Sequence, residues 1–178
     1  MMDILFESRY VRDRDLAKEF YGYYFFRRKL VIATHIALIW CFLVGIMNFV
    51  FFHDFNWLLF LMPPLLFALR IVSYVSQVNA MVKRDREMFG EIPCMIARAG
   101  EEGLVLSVPD SENGENGENT VSKISYSMLK QAILTKNLIL VRSKANLVFI
   151  FRRDSFCVGS EEDFLNFLRS KGLAVKGK

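Results

Sequence analysis

The sequence predicts an α+β membrane protein, a two-helix transmembrane hairpin joined to a small antiparallel β-barrel that a C-terminal helix caps. Three observations predict it. Between Leu30 and Val78 the chain is apolar almost throughout, interrupted only by the short segment HDFN at 53–56. Beyond residue 90 the apolar residues alternate with polar ones, the period of a half-buried strand. From Ser160 to Lys171 the spacing returns to that of an amphipathic helix.

The hairpin rests on length and on the absence of a wet face. Leu30–Phe52 carries no charge over more than the ~20 residues that a helix needs to cross a ~30 Å hydrocarbon core. Trp57–Val78 is of similar length and carries one charge, Arg70. Both stretches are apolar on every side, whereas a helix on the surface of a soluble domain keeps one polar face. The connection at 53–56 is too short to fold, so the two helices are expected to run antiparallel. Arg27, Arg28 and Lys29 precede the first span, Lys83, Arg84 and Arg86 follow the second, and the connection has no Lys or Arg. Basic residues are retained on the cytoplasmic side, so a multi-pass protein of the cell membrane with both termini cytoplasmic is expected. Arg27, Arg28, Lys29, Trp57, Lys83 and Arg84 are then candidate interfacial anchors. Arg70 would cost ~2.5–3.5 kcal/mol at the bilayer centre. It lies nearer the cytoplasmic end, where its long stem can snorkel to the headgroups. Pro63 and Pro64 remove two backbone donors and are expected to kink the outer half of the second span. His35, Cys41 and Asn48 read as tolerated polar residues, because the second span offers them no obvious polar partner.

The flanks follow in order. Asp3–Val11 (DILFESRYV) alternates, with Ile4, Phe6, Ser8 and Tyr10 on one side, and is a candidate strand. A helix is expected from Arg12–Leu16 toward the first span. Phe20–Phe26 places six aromatic residues before three cations, the composition of an interfacial anchor. After the second span a helical stalk is expected over 79–89. Val75, Val78, Met81 or Val82, and Met88 or Phe89 keep a helical apolar stripe into it, Lys83 to Glu87 fall on its wet side, and Gly90 at its end. The C-terminal domain, 90–172, offers six strand candidates: Ile92–Arg98, Gly103–Val108, Val121–Ser125, Ala132–Thr135, Leu138–Arg142 and Leu147–Phe151. This domain is expected to fold without the spans. The acidic, glycine-containing PDSENGENGENT run reads as a mobile hairpin loop. Its acids Asp110, Glu112, Glu115 and Glu118 do not follow calcium-loop spacing. Ser160 is a ready N-cap, with Glu161, Glu162 and Asp163 at the positive end of the helix. Phe164, Leu165, Phe167 and Leu168 form its inner face, and residues 173–178 make a short tail.

Composition narrows the function classes. The 178 residues are 53% hydrophobic and carry a net charge of +4, with much of the excess beside the spans. That placement suits anionic headgroups, at about 1 kcal/mol per nearby basic residue. It does not suit nucleic acid, for which a basic stripe or an aromatic platform would be needed. Cys41, Cys94 and Cys157 lack ligand-like spacing, so reduced thiols are expected. A cleaved signal peptide is not expected, because the first apolar run follows residues rich in both signs of charge. The two histidines, His35 and His53, lie in a span and in the connection. With no phosphate-cradling glycine loop, metal motif or nucleophile motif, no enzyme activity, cofactor or metal is expected.

The segment from Ile124 to Lys171 (ISYSMLKQAILTKNLILVRSKANLVFIFRRDSFCVGSEEDFLNFLRSK) carries a resemblance. Tyr126 and Leu129 lead into a strand, Thr135, Leu138 and Leu140 mark a hairpin, and Arg152, Arg153, Phe156, Gly159 and Ser160 lead to Phe164 in an acid-capped helix. In these residues, and in the preceding two-span hairpin, the chain resembles the YcxB-like family of bacterial membrane proteins. It departs from that pattern at Ile150-Phe151-Arg152, where many members have a proline. The resemblance implies a pleckstrin-homology-like C-terminal domain and no catalytic role. The functional expectation is a membrane-tethered module that binds a protein partner. An anionic-headgroup sensor, or an accessory subunit of a transporter or envelope complex, is the alternative. Arg142, Lys144, Arg152 and Arg153, in and around one hairpin, are the candidate contacts for lipid or partner.

Overall fold

In the computed structural model, residues 3–27, 29–53, 56–90, 92–109 and 118–177 are described. The predicted PDSENGENGENT loop falls mostly outside them, as do Asp110, Glu112 and Glu115 of its acidic run. The chain forms two compact units, one of Phe20–Arg84 and one built from both ends, Met1–Glu19 with Asp85–Lys178.

The first unit contains two long helices. Helix α2 (Lys29–Phe52) and helix α3 (Trp57–Phe89) are each long and apolar enough to cross a membrane, and only 6% of the most apolar window of each is buried. The core helix of a soluble protein would be mostly covered. Instead Trp40, Phe51, Phe52, Trp57 and Val72 are each more than half exposed. The two helices meet where Gly45 lies against Leu59, so closely that a Cβ on Gly45 would stand 3.0 Å from that of Leu59. Helix α3 runs on through Pro63 and Pro64 and ends before Gly90, which has φ +71°. Ahead of α2, helix α1 (Arg14–Gly22) passes into a π-helical turn at Tyr23–Arg27. The aromatic rings of that turn pack on one another and on Tyr74, with Tyr23 and Tyr24 edge to face at 5.5 Å and Phe26 and Tyr74 at 5.4 Å.

The second unit is two sheets. One has the order β4-β3-β2-β1-β8, formed by β1 (Ile4–Val11), β2 (Cys94–Gly100), β3 (Gly103–Pro109), β4 (Glu118–Ser125) and β8 (Phe156–Val158), all antiparallel. The other has the order β7-β6-β5-β9, formed by β5 (Leu129–Leu134), β6 (Leu138–Ser143), β7 (Val148–Arg152) and β9 (Ala174–Lys176), the last parallel to β5. No strand pair among the described residues joins the two sheets, so the expected barrel is corrected to a pair of sheets, antiparallel except where β9 joins β5. Two of the strands are three-residue pieces. Such short segments carry too few side chains for alternation to register, and β8 and β9 have no counterpart in the sequence reading.

The N-terminal strand lies inside its sheet rather than beside it. β1 pairs with β2 through Glu7 opposite Arg98, and with β8 through Glu7 opposite Val158. Phe6, Ser8 and Tyr10 are buried as the alternation predicts, while Ile4 is exposed. Helix α4 (Glu161–Ser170) covers both sheets, because Phe164 packs at 5.4 Å from Phe6 of β1, 5.5 Å from Phe156 of β8 and 4.5 Å from Phe151 of β7. Ser160 caps it by accepting from the Asp163 amide, and Glu161 to Asp163 stand at its positive end.

Candidate functional site

The four basic residues singled out in the sequence do not form one site. In the β6–β7 hairpin Arg142 stands opposite Val148 at the turn end, and Leu138 stands opposite Arg152 at the other. Four residues of strand separate the two ends, ~13 Å at the rise of an extended chain. Each cation is also engaged locally. Arg142 donates to the Asn146 side chain, and Lys144 Nζ donates to the Ser127 carbonyl at 2.8 Å. Arg152 pairs with Asp154 at 2.9 Å.

Arg153 is the most committed of the four. It pairs with Glu161 at 2.7 Å, and its Nη1 lies 3.2 Å from the carbonyls of both Thr135 and Lys136. The same β5–β6 turn is gripped from its donor side by Glu19 of α1. Glu19 accepts from Thr135 Oγ1 at 2.5 Å, from the Asn137 amide at 2.7 Å and from Asn137 Nδ2 at 2.8 Å. A carboxylate takes the donors of the turn and a guanidinium supplies its carbonyls. α1, the turn, the end of β7 and the first turn of α4 thereby become one network.

Two further acids were not singled out by sequence reasoning. Glu7 on β1 accepts from Arg98 Nε and from Arg9 Nε, each at 2.6 Å, and its side chain is 7% exposed. Burial alone would push its pKa up. The hydrogen bonds and charges of Arg98 and Arg9 outweigh that and hold the carboxyl below its ordinary value. Asp85 was read as part of the wet side of the stalk. It is buried, and it pairs with Arg12 at 3.2 Å. No local pattern marks either residue: Arg12 lies far from Asp85 in sequence, and Glu7, although Arg9 is its near neighbour, is completed by the remote Arg98.

Within the unit of long helices the interfacial anchors divide. Trp57 is exposed, as are Lys83 and Arg84. Arg28 lies outside the described residues, and the side chains of Arg27 and Lys29 are not described either. The polar residues of the spans, however, come together. Arg70 Nη1 donates to Thr34 Oγ1 at 3.3 Å, so the second span does offer a polar partner to the first. His35 stacks against Phe26 at 6.3 Å and meets Phe67 edge to face at 5.7 Å. Beside them lies a groove of about 490 Å³, lined by Thr34, His35, Cys41, Phe67, Arg70 and Ser73 among others. Cys41, Cys94 and Cys157 are free and exposed, and among the described residues no group of His, Cys, Asp and Glu is placed to hold a metal ion.

No protein family, curated protein or solved structure matches this chain.

Proposed function

We propose that the chain is a non-catalytic membrane anchor that holds a protein-binding module at the cytoplasmic face of a cell membrane. One observation carries this reading: two long apolar helices, almost wholly uncovered, interrupt a folded two-sheet unit between its β1 and β2 strands. The basic flanks favour both ends of the chain on the cytoplasmic side.

The module reading draws support from what the cations do and from what one strand leaves undone. Arg142, Lys144, Arg152 and Arg153 serve the unit's own turns and acids, which leaves little for a headgroup. β4 is an edge of its sheet, with β3 on one side and no strand on the other among the described residues. An open edge is a template for an added strand, whose main-chain bonds give affinity and whose alternate side chains give selectivity. We propose kinship with the YcxB-like family and its pleckstrin-homology-like domain on the same footing. Its support is that the shared residues serve the two-sheet frame. The Tyr126 hydroxyl donates to the Gly100 carbonyl at 2.7 Å, Thr135 and Arg153 fix the β5–β6 turn, and Phe164 fills the core under α4.

Site-specific photo-crosslinking in cells tests the module. A photoreactive residue at Ser122 or Ile124 of β4 should give a discrete adduct, and one at Leu147, in the β6–β7 turn, should not. Adducts from Leu147 alone, or from none of these positions, would refute the edge as the binding surface. Orientation is read from Cys157. An impermeant thiol reagent should label it only after lysis, and labelling in intact cells would overturn the topology.

A further inference from the structure

The groove on the hairpin has a chemical bias that the membrane reading alone does not require. Arg70 is the one charged side chain between residues 57 and 78, and no acid lies between 30 and 52. Its Nη1 meets Thr34 Oγ1 at 3.3 Å, a long bond, and Thr34 already gives its own proton to the Val31 carbonyl at 2.7 Å. Arg70 Nε and His35 Nε2 are buried and have no hydrogen-bond partner among the described residues. Ser73, on the same wall, bonds its own helix at the Leu69 carbonyl. No residue lining the groove is acidic. A partly exposed guanidinium whose Nε is buried without a bond, and which has no acid beside it, calls for an anion.

Depth decides which anion. Thr34 is five residues beyond Lys29, ~8 Å along α2, and Arg70 is thirteen residues beyond Trp57, ~20 Å along α3. In a ~30 Å hydrocarbon core that places the guanidinium near the cytoplasmic headgroup boundary, within reach of lipid phosphates. Beyond Thr34, His35, Arg70 and Ser73 the groove is lined by Ala37, Leu38, Cys41, Leu66, Phe67 and Leu69, without a formal charge. One turn of a helix, about 10 Å across, would fill it entirely, whereas an acyl chain is thinner and enters lengthwise.

We propose that this groove binds an anionic phospholipid of the cytoplasmic leaflet, its phosphate on Arg70 and one acyl chain along Cys41, Leu66 and Phe67. The site rests on the membrane reading above. A net-negative headgroup is preferred over a zwitterionic one because the groove offers no carboxylate to an ammonium. The same helix pair carries a second groove of about 290 Å³, which shares His35 and Phe67 with the first and is otherwise lined by Ile39, Phe42, Pro63 and Pro64 among others. It contains no Lys or Arg and serves as an internal control.

The test uses the full chain in phosphatidylcholine liposomes, with Cys94→Ser and Cys157→Ser so that bimane labels Cys41 alone. Chain-brominated phosphatidylglycerol should quench Cys41-bimane about fivefold more effectively per molecule than brominated phosphatidylcholine, because both offer a phosphate to Arg70 and only the choline lipid sets a second cation against it. Arg70→Gln should bring that ratio close to one. Arg70→Lys, which keeps the charge and loses the planar fork, should fall between. Bimane at Ile39→Cys, in a background with Cys41→Ser as well, should show no preference, which separates the groove from general enrichment by Lys83 and Arg84. The proposal is overturned by equal quenching at Cys41, or by a preference that survives Arg70→Gln. It is overturned too if neither lipid quenches Cys41 while both quench position 39, which would mean that a protein segment fills the groove. Release of the chain from membranes by alkaline carbonate, with no quenching at either position, would overturn the membrane reading itself.

Discussion

Removing the N-terminal strand should unfold the two-sheet unit, although six of the strands read from the sequence and the capped helix lie beyond residue 90. The perturbation is a fragment of residues 90–177. It lacks Phe6, Tyr10 and Leu16, which are 8%, 5% and 4% exposed in the full chain. Burying side chains of this size is worth about 1.5–3 kcal/mol each, so their loss removes roughly 5–9 kcal/mol. A domain of this size has about 5–15 kcal/mol in total, and the burial figure is itself an upper bound. The fragment also loses the seam between the sheets. There Ser8 Oγ lies 2.8 Å from Ser155 Oγ and accepts from the Arg152 amide at 3.2 Å. A spliced chain restores what is missing by joining residues 3–19 to 85–177 through a Gly/Ser linker. Arg12 pairs with Asp85, and Glu19 follows Arg12 by two extended residues and five of α1, ~15 Å at most, so about twelve linker residues suffice. Thermal melts followed by circular dichroism should be cooperative for the splice. The fragment should give a broad transition and bind ANS. A fragment that melted cooperatively at the same temperature as the splice would refute the reasoning.

The splice also reports on Glu7. Its pKa is lowered by folding, so its contribution is fully present above the ordinary carboxyl value of 4.5 and is lost as pH falls through the depressed folded value. Glu7→Gln should therefore cost about 1–2 kcal/mol at pH 7 in chemical denaturation, with the gap from wild type closing below pH 4.5; a gap independent of pH would show that the carboxylate charge is not what the arginines hold. Of the hairpin cations, Arg153→Gln should destabilise the splice by about 1–2 kcal/mol, since it releases Glu161 and two turn carbonyls, whereas Lys144→Gln should stay within about 0.5 kcal/mol. Equal effects would mean that the Arg153 network adds nothing to the fold.

What the sequence disclosed, and what it hid, divides by the range of the interaction. α4 was readable because cap, acids and apolar stripe all lie within residues 160–171. Strands β3 and β6 were readable because a short apolar run bounded by turn residues is a local pattern. The two apolar helices were readable from composition alone. The barrel was not, since closure depends on pairing between strands that no local pattern specifies, and the chain makes two sheets instead. Asp85 was placed on the wet side because its neighbours Lys83, Arg84, Arg86 and Glu87 are exposed there. Its burial depends on Arg12, 73 positions earlier, which no helical period can reveal. The same holds for Arg70 and Thr34. Each reads as an isolated polar residue in its own span, and only the pairing of the spans makes them neighbours.

This division bears on where binding should be sought. A basic residue at the end of a strand is visible in sequence, and it is also the residue that a fold most readily uses for its own turns, as Arg153 shows with Glu161 and the Thr135 and Lys136 carbonyls. A cation spent in this way has few donors left, and displacing its partners costs stability before any ligand is gained. Arg70 has no acid to pair with in either span, and one of its nitrogens is buried without a bond. Its unmet hydrogen-bonding capacity lies beside a groove open to the surroundings of the helices. For this chain, then, charge density along the sequence points to the fold's own scaffolding. The single charge that composition would treat as an exception points to the ligand.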